Sequence, residues 1–191
     1  MDPVEAQATL QNFSKIIDSL RSESDRGCIL VVSSMLEKIL EEQITKRLIP
    51  KYGKEDELMG KSNSRPISGF SAKINLAYRI GLIPDIECKM LHQLRELRND
   101  CAHKIEQQDF EANHFKDRTK NIIEHSKVVW DAILTHIAPK LFPDEQQCSV
   151  VSFVDKVGWR RSFEVFFALV VAHKQATIER VSPIIPLYSS W

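Results

Sequence analysis

The stretch DIECKMLHQLRELRNDCAHK, residues 85–104, decides the fold. Ile86, Met90, Leu94, Leu97 and Cys101 recur at intervals of four, four, three and four. That rhythm returns every apolar side chain to one face of an α-helix, whereas a strand repeats every two residues. The spacing predicts a helix with a buried stripe. Neither glycine nor proline occurs between residues 85 and 138. One unbroken helix over that span is too long for a compact domain of this size. A turn is therefore expected at 104–108, and a further helix, in one or two pieces, runs on to His136.

The same rhythm extends outward in both directions. Leu10, Phe13, Ile16, Ile17 and Leu20 mark a first helix, with Asp2 as its cap and Pro3 at its first position. A polar break, SESDRG (22–27), precedes a second helix carrying Val32, Met35, Leu36, Ile39, Leu40 and Ile44, which ends near Leu48. Glu37, Glu41 and Glu42 are assigned to its outer face. Residues 51–68 read as a long loop. The GKS at 60–62 is not a phosphate loop, because Glu55 stands where that loop requires glycine. A third helix is expected at 71–80, stopped by Gly81 with Pro84 beyond.

Downstream, PKLFPDEQQ (139–147) reads as a connector, and the β-branched SVVSFV (149–154) as a short strand. A last helix is expected from about 160 to 181. The apolar PIIPLYSSW (183–191) then forms an extended tail that packs either on the domain or on a partner. The fold class is all-α: a bundle of about five to seven helices with a C-terminal helix and tail. The domain occupies residues 1–138, and 139–191 form an extension packed on it.

Composition narrows the function. The chain of 191 residues is 43% hydrophobic and 27% charged, ordinary values for a globular protein. Its 26 basic and 26 acidic residues cancel, so direct DNA binding has no support from charge. The four cysteines, at 28, 88, 101 and 148, form no C-x-x-C pair, so no metal site is expected, and they read as reduced thiols. The apolar run at 165–172 is too short to span a bilayer, and the N-terminal residues lack a signal core. The expected location is the cytoplasm, with no membrane association and no cofactor.

His92, His103, His114, His125 and His136 fall every eleven residues. Helical neighbours at that interval sit ~16 Å apart along the axis, beyond the reach of a shared metal. The ladder is read as coincidence. The informative cluster lies at the end of the deciding helix. Arg95, Asn99 and His103 are at i, i+4 and i+8, so they share a stripe, with Arg98 beside them and the apolar face turned away. The negative end of the helix dipole favours cations there and raises the proton affinity of His103. Such a set can act on a phosphodiester. An arginine stabilises developing charge, a histidine moves the proton, and an asparagine orients them. RNA brings its own 2′-hydroxyl nucleophile. The plainer reading is structural: arginine and histidine suit the last turn of a helix, and Arg95 and Arg98 pair with Glu96, Asp100 or carboxylates elsewhere.

RNDCAH (98–103) resembles the signature of the HEPN superfamily of helical domains, with Arg98, Asn99 and His103 at its positions. The resemblance implies that Arg98 and His103 are catalytic in a site formed across a dimer. The toxin subgroup continues H-x-Y, and here Ile105 stands at the tyrosine. A longer resemblance covers 22–123. The series SESDRGCILVVSSMLEKILEE, SGFSAKINLAYRIGLIP, LHQLRELRNDCAH and DFEANHFKDRTKNI is similar to the mannitol-repressor-like (MltR-like) family. That likeness implies an α-helical, cytoplasmic transcriptional regulator without a DNA-reading helix-turn-helix, one that acts through a protein partner. The expected function is a non-catalytic, homodimeric regulator of this kind. The alternative is a metal-independent endoribonuclease in which Arg98 stabilises the phosphorane, His103 is general acid or base, Asn99 orients them and Arg95 binds a neighbouring phosphate.

Overall fold

A computed structural model describes residues 3–60, 65–103, 109–110, 113–124, 126–145 and 147–186, with backbone alone at 3–5, 103, 113, 114 and 124. Every regular element among them is helical. These are α1 (Pro3–Arg21), α2 (Asp25–Arg47), α3 (Phe70–Arg79), α4 (Asp85–His103), α5 (Asn113–Glu124), α6 (Lys127–His136), the single turn α7 (Ala138–Leu141) and α8 (Val150–Thr177). A 3-10 turn, Ile178–Arg180, closes the series. Seven of these described helices run ten residues or more, which is the all-α bundle expected.

Local chemistry sets the boundaries. The Ser24 side chain accepts a hydrogen bond from the Gly27 amide at 3.0 Å, so α2 starts inside the polar break. It stops where expected, at Leu48. Gly81 takes φ 72°, a left-handed conformation. This lets the Leu82 amide donate to the Ala77 carbonyl at 2.8 Å and end α3. The proposed cap Asp2 and the turn at 104–108 lie outside the described residues, as do 61–64 of the long loop. Elsewhere that loop is anchored by buried Met59, and the Asp56 carboxylate accepts from the Leu58 and Met59 amides.

Three expectations need correction. Residues 149–154 are not a strand. The Ser149 hydroxyl accepts from the Ser152 amide at 3.1 Å and caps α8, and the cap together with burial of Phe153 outweighs β-branched propensity. Helix α8 therefore begins ten residues early, bends at Gly158 (φ 78°, ψ 168°), and ends at Thr177. Ile86 is not part of the buried stripe: Met90, Leu94, Leu97 and Cys101 are buried, but Ile86 is 50% exposed. Glu37 does not face outward either, because α3 packs on that side of α2 and brings Lys73 against it and against the half-exposed Glu41.

The core is aromatic along α8. The Phe163 and Phe167 rings are tilted together with centroids 4.6 Å apart, Phe110 lies 5.0 Å from Phe163, and Trp130 lies 6.0 Å from Phe166. The Trp130 indole N–H is satisfied by the Ile123 carbonyl at 3.0 Å. Arg160, just past the bend, ties α8 to the α1–α2 junction. It donates to the Leu20 and Glu23 carbonyls and to the carboxylates of Asp25 and Glu164, at 2.6 to 3.0 Å. Of the tail, the Ile184 amide donates to the Arg47 carbonyl at 2.8 Å, which lays this part on the domain; Ile185 is 82% exposed, and 187–191 lie outside the described residues. None of the described helices is long and apolar enough to cross a membrane.

Candidate functional site

Helix α4 is continuous from Asp85 to His103, so the backbone carries Arg95, Asn99 and His103 on one stripe as the spacing requires. The buried stripe of Leu94, Leu97 and Cys101 holds that orientation by facing the core. Burial pushes the Cys101 thiol up to about 11, so it takes no part in thiolate chemistry. The imidazole of His103 lies outside the described side chains.

Arg98 meets α2. One of its terminal nitrogens stands 4.0 Å from a Glu37 carboxylate oxygen, and the other Glu37 oxygen accepts from the Lys73 ammonium at 3.1 Å. Glu41 holds the same ammonium at 2.7 Å. Lys73 is nearly covered, its side chain 7% exposed. Burial works against its charge, but the hydrogen bonds it donates to Glu41 and Glu37, with the charges of those carboxylates, outweigh burial and keep the ammonium above its ordinary value. The result is a charge relay of position, not of protons: Arg98, Glu37, Lys73 and Glu41 lock α4, α2 and α3 together.

Arg95 is less committed. A terminal nitrogen lies 3.6 Å from Glu96, and its buried Nε–H has no partner among the described residues. Half-buried Asn99 lies on the same stripe. One turn earlier, His92 shares a hydrogen bond of 2.9 Å with Asn75 of α3. Burial, reinforced by the Arg95 charge, holds His92 below the ordinary imidazole value. Asp100 on the flank pairs with Arg118 of α5 at 2.5 Å.

Sequence reading found the α4 stripe but missed Glu37, Glu41, Lys73 and Asn75, which come from two other helices. A signal for one of them was present. Lys73 falls at i+3 from Phe70 and immediately before Ile74, on the buried face of α3, and a lysine there demands a carboxylate. No group of three or more metal-ligating side chains occurs among the described residues. No family model, curated protein or solved structure matches the chain.

Proposed function

We propose that the chain is a non-catalytic, dimeric helical regulator of the mannitol-repressor-like kind, acting through a protein partner. One observation carries this reading: the Arg98 guanidinium stands 4.0 Å from a Glu37 carboxylate oxygen, and the other Glu37 oxygen accepts from Lys73, so Arg98 belongs to a structural charge cluster. A phosphate must displace Glu37 to take Arg98 in full. The Arg95 side chain is 27% exposed, so its guanidinium can donate to carbonyls on a partner surface. The absence of a basic surplus in the chain agrees.

The test is a photo-crosslinking amino acid placed at Asn99 in the full chain, irradiated in cells. A discrete protein adduct that disappears with Arg95→Glu supports the proposal. Adducts to RNA alone, with no protein band, overturn it.

A further inference from the structure

A second feature of the fold lies away from the arginine stripe. Helices α1, α4, α6 and α8 leave a cleft of about 470 Å³ between them. That size suits a small ligand. Its walls are apolar, with Met90, Val129 and Leu169 inside and Ile86 and Val128 at the rim, 50% and 83% exposed. Exposed at the start of α4, Ile86 is the apolar residue that the periodicity assigned to the core.

Polar side chains interrupt the apolar wall, Thr9 and Lys174 being the most buried of them. Lys174, its side chain 8% exposed, lines the wall and is ion-paired with Glu87. Thr9 also lines it. Its residue is 3% exposed, and its hydroxyl has no hydrogen-bond partner among the described residues. A buried hydroxyl without a partner costs roughly 1–3 kcal/mol, a cost that a ligand atom seated in the cleft would relieve. Of the charged groups at the cleft, Glu87 neutralises Lys174, and Lys127 pairs with Asp131 at 2.7 Å; Ser126 and His173 also line the wall. An ionic head would have to oppose one member of a settled pair, whereas a neutral acceptor takes the Thr9 O–H without doing so.

We infer that this cleft binds a small neutral amphipathic molecule, its apolar body between Met90, Val129 and Leu169 and a carbonyl or hydroxyl oxygen accepting from Thr9. The site is separate from the α4 arginines and does not depend on the regulatory reading. No covalent step is involved.

The experiment is titration of the full chain with four eight-carbon probes, octanamide, 1-octanol, octanoate and octylammonium, followed by backbone amide NMR shifts. Octanamide and 1-octanol should shift amides of Thr9, Met90, Val129 and Leu169, and bind at least tenfold more tightly than either ion. Thr9→Val, which keeps the shape and removes the hydroxyl, should weaken octanamide about three- to tenfold. Ala132→Trp fills the cleft from a half-buried position and should abolish the shifts while leaving the remaining spectrum folded. Equal binding of all four probes, octanamide binding unchanged by Thr9→Val, or shifts that survive Ala132→Trp would each overturn the inference. So would the absence of any shift with the neutral probes.

Discussion

Replacing Lys73 by methionine should destabilise the fold by about 2 kcal/mol at pH 7.5. Methionine keeps the apolar stem but leaves Glu37 and Glu41 facing one another without the ammonium between them. Removing one partner of a fully buried pair costs about 3–5 kcal/mol. Here the Glu41 side chain is 45% exposed, and Arg98 stands 4.0 Å from Glu37. Water and Arg98 recover part of the loss, which leaves about 2 kcal/mol. With a urea slope of about 2 kcal/mol per molar, the unfolding midpoint falls by about 1 M. Adding Glu37→Gln and Glu41→Gln should restore most of it, since the stranded charges are then gone. The pH dependence has a definite sign. The folded lysine holds its proton above the ordinary value of 10.5, so its contribution is complete below 10.5 and is lost as pH climbs through the folded value. The gap between parent and variant should stay level from neutral pH to about 10 and narrow beyond it. Urea titrations monitored by far-UV circular dichroism measure all three. A loss below about 0.5 kcal/mol, typical of an exposed pair, or an equal loss in the triple variant, would refute the reasoning.

Arg160→Ala should be more damaging, about 3 kcal/mol by the same denaturation assay, because it strips partners from Asp25 and from the Glu164 side chain, which is 6% exposed. Arg160→Lys should recover less than half, since an ammonium cannot reproduce the guanidinium's fan of contacts. Gly158→Ala should cost about 2 kcal/mol from backbone strain alone. Nothing lies within 4 Å of the added carbon, so helix content in the circular dichroism spectrum should be unchanged while the melting temperature drops. Burial pushes the Cys28 thiol up to about 12 and the Cys101 thiol up to about 11. At pH 8 a thiol reagent should label half-exposed Cys88 and Cys148 in the native protein and reach Cys28 and Cys101 only after unfolding. Native labelling of the buried pair, resolved by peptide mass spectrometry, would contradict the core placement.

Much of the bundle was legible because its helices carry both a period and punctuation. The apolar rhythm of α2 and α4, the stop at Gly81 and the α2 end at Leu48 all follow from local rules. The errors arose where tertiary contacts decide. Residues 149–154 have strand-forming side chains, yet one serine cap and the aromatic pocket around Trp130 and Phe142 turn them into a helix. Ile86 follows the stripe in sequence but stands where α4 borders the open cleft. The arginine stripe was visible as a pattern, because a continuous helix fixes i, i+4 and i+8. Its electrostatic setting was not, because Glu37 and Lys73 lie 61 and 25 residues before Arg98 in the chain. No local period links residues so far apart, and only the packing of α3 across α2 and α4 brings them together.

The most direct test of that setting is incubation of the purified chain with single-stranded RNAs of varied sequence in EDTA, with end groups read by mass spectrometry. If Glu37 holds Arg98 in a structural pair, the RNAs stay intact and Arg98→Ala behaves like the parent. Cleavage leaving 2′,3′-cyclic phosphates, lost in Arg98→Ala and in His103→Ala while both variants stay folded, would contradict it.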